Sequence, residues 1–179
     1  MTRSNPEALA AAGMKAYKQG HFELAVENFS QAGNLYSEMA QAGQAAEMAN
    51  NAAVAYLQLE KPELALEVLA GTPEIFARDG NTKLQAQALG NQAAACEALD
   101  KREEAKALYQ QALTLLQEVG DKDSQAFTLQ GLSRLQLKDG QPLQALDSMQ
   151  AAMEVKPRRG IAGRLVRRLL SLPARFLNR

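Results

Sequence analysis

The chain has no tryptophan, one cysteine and one histidine in 179 residues, and aromatic residues make up only 5% of it. Sheets favour β-branched and aromatic residues, so this composition argues against a strand-built core. The lone thiol, Cys96, excludes an internal disulfide and points to a reducing compartment. The lone histidine, His21, falls in a turn slot of the pattern described below, and Cys96 falls in a core slot without a histidine beside it. Neither therefore reads as part of a nucleophile–base pair. No glycine-rich phosphate loop follows a strand pattern, and no metal-ligand spacing occurs. No apolar run approaches the roughly 18 residues a membrane-spanning helix needs. The opening stretch MTRSNPEALAAAG has neither a long apolar segment nor a cleavage pattern. These absences lead to the expectation of a cytoplasmic, non-enzymatic protein with no cofactor and no bound metal.

What is present is alanine, leucine and glutamine in abundance, the composition of packed helices. The formal net charge is zero, yet it is unevenly placed. Residues 158–179 hold seven arginines and no acid; the remaining 13 basic residues against all 20 acidic ones leave residues 1–157 at −7.

A period of forty organises the acidic part. KQGHFELAVENFSQAG from Lys18, QLEKPELALEVLAGTP from Gln58, ALDKREEAKALYQQAL from Ala98 and KDGQPLQALDSMQAAM from Lys138 start 40 residues apart. Alanine recurs at Ala25, Ala65, Ala105 and Ala145. A large residue follows at Phe29, Leu69, Tyr109 and Met149, then a small one at Ala32, Thr72, Ala112 and Ala152. Upstream, Gly13, Ala53, Ala93 and Ser133 share a further small slot. This is the pattern of a helical hairpin repeated four times. Small residues let two helices approach, and large ones fill the space beside them. Each unit should hold two amphipathic helices of roughly 15–18 residues, joined at Gly20-His21, Glu60-Lys61, Asp100-Lys101 or Gly140-Gln141. Asn5-Pro6-Glu7 reads as a cap, a first-turn proline and a first-turn acid. Pro62 and Pro142 open second helices, and Gly80 and Gly120 close them.

The repeat resembles the tetratricopeptide repeat family, whose pattern W-x2-L-G-x2-Y…A-x3-F…P has a 34-residue period. Ala145, Met149, Ala152 and Pro157 carry the likeness in copy four, Gly13, Ala25, Phe29 and Ala32 in copy one, and Ala53, Tyr56 and Ala65 in copy two. Leu9, Ala49, Leu89 and Leu129 replace the tryptophan, Cys96 and Gln136 stand in the tyrosine slot, and the unit is lengthened to 40 residues. The resemblance implies an all-α, right-handed α-solenoid of four hairpins, at about 6–40, 41–80, 81–120 and 121–157, followed by a C-terminal amphipathic helix over 158–179. It also implies that first helices line a concave groove for a partner protein, peptide or helix. Carried over residue by residue, the groove positions are Glu7, Met14, Tyr17 and Lys18 in copy one, and Glu47, Asn50, Asn51, Val54, Leu57 and Gln58 in copy two. Copy three gives Gln87, Gly90, Asn91, Ala94, Glu97 and Ala98, and copy four gives Phe127, Gln130, Arg134, Leu137 and Lys138. Asn51 and Asn91 lie one repeat apart, and an asparagine amide can both donate to and accept from a peptide backbone. The alternative is that these amides cap turns or bond between neighbouring helices. Ala10, Met14, Gln87 and Asn91 stand where the family's carboxylate clamp has basic residues, so an acidic chaperone tail is not the expected ligand.

On a helix, Ile161, Leu165, Leu169, Leu172 and Phe176 form a stripe that Val166, Leu170 and Leu177 widen to about half the circumference. Arg164, Arg167, Arg168 and Arg175 occupy the other half, and Pro173 should kink or restart the helix. One reading is a cap on the last hairpin. The others are contact with an anionic membrane surface, peripheral to an inner membrane, and contact with a protein partner or a second copy. Nucleic acid is disfavoured, because the arginines lack interleaved aromatics and the rest of the chain is acidic.

Overall fold

The structure is a computed structural model, and it describes residues 5–156. The basic C-terminal segment lies outside the described residues. Among the described residues every regular element is an α-helix: α1 Pro6–Lys18, α2 Phe22–Glu38, α3 Ala42–Gln58, α4 Pro62–Val68, α5 Thr72–Arg78, α6 Thr82–Ala98, α7 Arg102–Val119, α8 Lys122–Lys138 and α9 Pro142–Val155. The chain forms two compact units, Met1–Leu115 and Leu116–Arg179.

The helices keep the 40-residue phase of the sequence. First helices start at Ala42, Thr82 and Lys122, and second helices at Phe22, Pro62, Arg102 and Pro142. The turns keep time at half that interval. Gly20, Ala40, Glu60, Gly80, Asp100, Gly120 and Gly140 all have positive φ, between 56° and 79°. Each is followed by an amide that reaches back over the helix end, from His21 N to Ala16 O at 2.9 Å through to Gln141 N to Gln136 O at 2.8 Å. This left-handed closure satisfies carbonyls that the last helical turn leaves open. Helix starts are capped where the sequence offers an acceptor: Asn5 Oδ1 accepts from Glu7 N at 2.9 Å, Asn81 Oδ1 from Leu84 N at 3.1 Å and Asp121 Oδ1 from Ser124 N at 3.2 Å.

Burial follows the four-fold register. Ala25, Ala65, Ala105 and Ala145 are buried, as are Ala32, Thr72, Ala112 and Ala152, and Gly13, Ala53, Ala93 and Ser133. Within the first unit, Phe29 packs in one cluster with Ala16, Met48 and Ala52, and Leu69 and Phe76 pack in another with Ala53, Ala88 and Ala95. In the second unit, α8 packs along α9, and Ser133 Oγ donates to Ala145 O at 2.8 Å.

One element departs from expectation. The repeat pattern predicts a continuous second helix in the second hairpin, but it is two seven-residue helices, α4 and α5. Pro73 has no N–H to give, and its ring conflicts with the carbonyl four residues before it. Gly71, at φ +73°, takes up the break. The break leaves the phase intact, since α4 begins at Pro62 and α5 ends at Arg78, 40 residues after the limits of α2.

Candidate functional site on the first helices

In the first unit α3 and α6 pack side by side, and a side-chain hydrogen bond runs between them. Asn91 Nδ2 donates to Asn50 Oδ1 at 2.9 Å. Both residues are candidates from the sequence, but the 40-residue register pairs Asn91 with Asn51, whereas the bond selects the residue one place earlier. Asn50 is buried by the contact, and Asn51 and Asn91 are half-buried. The bond uses the Asn50 oxygen and one Asn91 N–H. The Asn91 oxygen and its second N–H take no part in it, so this half-buried side chain keeps one donor and one acceptor, the complement of a peptide unit. Val54 is half-buried further along α3, and Gln58 is exposed at its end. Gln87, on α6, is half-buried one turn before Asn91.

Glu97 differs from its neighbours. It is buried, and the Tyr109 hydroxyl donates to its Oε2 at 3.0 Å. Its carboxylate therefore ties α6 to α7 within the hairpin. On α1, half-buried Tyr17 packs its ring 5.5 Å from that of Phe22, tilted by 59°. His21 is exposed at the start of α2. Cys96 is buried, and burial pushes its thiol pKa up; the Glu104 carboxylate adds to the rise and Lys101 opposes it. Such a thiol holds its proton and is a poor nucleophile.

In the second unit, Gln130 and Arg134 are exposed on α8, and Phe127 and Leu137 flank them on the same helical stripe, 46% and 56% exposed. The spacing of three, four and three places all four on one face. Arg164, Val166, Arg167, Arg168, Leu170, Phe176 and Leu177 lie outside the described residues.

The site is thus a set of helix faces that carry amides, short apolar groups and few charges. Among the described residues, no three histidine, cysteine, aspartate or glutamate side chains gather as a metal site, and no helix is long and apolar enough to cross a membrane. This arrangement can hold backbone and apolar side chains of another chain, and defines a helical-hairpin repeat protein. Residues 84–158 match the Tetratricopeptide repeat family. The crystal structure of BtubC (BKLC) from P. vanneervenii is similar, with TM-score 0.74 and 18% identity over 89% of this chain and 71% of that one. A Podosopora anserina putative kinesin light chain of nearly identical TPR-like repeats gives TM-score 0.71 and 17% identity over 91% and 83%. A second crystal structure of those repeats, carrying one substitution, gives 0.67 and 15% over 98% and 99%. No curated protein matches the sequence. Residues 84–158 are tetratricopeptide repeats by family match, and the chain has the fold of TPR-like repeat proteins.

Proposed function

We propose that this protein is a non-enzymatic scaffold or adaptor that holds a peptide or helix of a partner protein against the exposed faces of its first helices. TPR folds are generally protein–protein interaction scaffolds, which supports the class. The observation that carries the finer reading is the Asn91–Asn50 bond. It holds α3 and α6 together with Asn51, Val54 and Gln87 still partly open to solvent. A bound backbone could pair with the unused amide groups while Val54 meets an apolar side chain. The proposal sets this scaffold in the cytoplasm and gives it a protein partner in place of a cofactor or nucleic acid. A photo-cross-linking side chain at Val54, compared with one at exposed Leu24 on α2, tests the site. A partner captured from Val54, absent from Leu24 and lost on Asn51→Ala with Asn91→Ala supports it. Equal capture from both positions overturns it.

The charge distribution supports a second reading, in which the 158–179 segment brings the scaffold to an anionic inner membrane surface. Seven arginines, each contributing about 1 kcal/mol beside an anionic leaflet, would suffice for reversible attachment.

A further inference from the structure

A hollow of about 250 Å³ opens between α2, α3 and the end of α4. Buried Phe29 and Met48 line it together with Val68 of α4. Ser30, Asn34 and Ser37 of α2 also line it and are exposed, so it opens to solvent beside them. Among the described residues, no charged side chain lines it. Its α3 wall is made by Ala45, Ala49 and Ala52 with Met48. At about 100° per residue these three alanines share one face of α3, and Val54 falls on the opposite one. The hollow is therefore separate from the surface proposed above for a partner.

The internal repeat explains why the space is empty. The places of Ala45, Ala49 and Ala52 are held in α6 by Gln85, Leu89 and Gln92, and in α8 by Gln125, Leu129 and Leu132. There the longer side chains close the gap to the preceding helix. Leu89, Leu129 and Leu132 are buried. Gln92 Nε2 donates to Leu69 O at 3.1 Å, and Gln125 Nε2 donates to Leu116 O at 2.7 Å. In α3, three methyl groups stand in for three long side chains. The helices themselves are in close contact, since a Cβ added at Gly33 of α2 would lie 3.4 Å from the Met48 Cβ. Missing side-chain volume, and not a wide helix spacing, makes the hollow.

We propose that this hollow binds a small uncharged aromatic molecule carrying one N–H or O–H, of the indole or phenol class. Size sets the first limit. A cavity of roughly 150 Å³ holds benzene, and sites for larger ligands begin at roughly 300 Å³, so one or two fused rings fit. Phe29 and the Met48 thioether favour an aromatic ring over an aliphatic one. The Ser30 and Ser37 hydroxyls and the Asn34 amide oxygen offer acceptors for the single polar hydrogen. A charged ring would lose water there without gaining a counter-ion.

The test is a titration of the full chain with indole, followed by amide NMR. Shifts should saturate and centre on residues 30–37 and 45–52. Ala49→Leu gives α3 the leucine of α6 and α8; it should fold and weaken indole binding at least about tenfold. Ala45→Gln, the residue of both later helices, should weaken it likewise, so the result does not hang on one variant. Leu24→Ala, on an exposed part of α2 outside the hollow, should leave the affinity within about twofold. Indole-2-carboxylate, a similar ring with a charge, should bind at least about tenfold more weakly than indole. Shifts that rise without saturating would leave the hollow to a side chain of a partner protein and overturn the proposal. Equal indole binding by the unaltered and Ala49→Leu proteins, or equal binding of the carboxylate, overturns it as well.

Discussion

Ala40, Glu60 and Asp100 are L-residues in the left-handed region, at φ 56°, 56° and 58°, where four other turns of the same series use glycine. A side chain there crowds the following carbonyl by about 1–2 kcal/mol, part of which glycine returns as greater freedom in the unfolded chain. Ala40→Gly is therefore expected to stabilise the protein by about 0.5–1 kcal/mol, read as a higher urea midpoint at unchanged slope. Gly13 is the opposite case. A Cβ there would lie 2.8 Å from two atoms of the buried Phe29 ring. Gly13→Ala is expected to destabilise by about 1–3 kcal/mol through overpacking, visible as a lower melting temperature. Both residues are legible in the sequence as members of repeated slots. The small slots are readable because helix approach depends on side-chain volume, which sequence states directly. The Asn91–Asn50 bond is not readable from the period, because it depends on the rotation of α3 against α6.

At the scale of elements, the caps separate strong helix starts from weak ones. α6 and α8 have side-chain caps from Asn81 and Asp121, whereas α3 has none at Gln41. Asn81→Ala should cost about 1 kcal/mol, measured by denaturant unfolding, whereas Gln41→Ala should change little. The hairpin limits are clear in the sequence, since prolines, glycines and small residues recur in phase. The division of one second helix into α4 and α5 does not emerge from the repeat. Its signal, Gly71 and Pro73 two residues apart, is present, but alignment by period treats it as ordinary helix.

At the scale of the whole molecule, the chain opposes an acidic body of −7 to a terminal segment of +7. Co-sedimentation with anionic vesicles should require residues 158–179 and should weaken as salt rises, since screening shortens to about 8 Å at physiological ionic strength. Binding that persists in a 1–157 chain, or that neutral vesicles match, would remove the membrane reading.

The sequence by itself determined the helical class, the 40-residue phase, the turn positions and the small-residue contacts. Each of these follows from local backbone preference and side-chain size repeated at a fixed interval. Only the tertiary structure decided which amides meet across α3 and α6, that Glu97 is spent on Tyr109, and that Met149 stands exposed where Phe29, Leu69 and Tyr109 are buried. Those outcomes depend on how whole helices are rotated and stacked, and a linear period does not specify that.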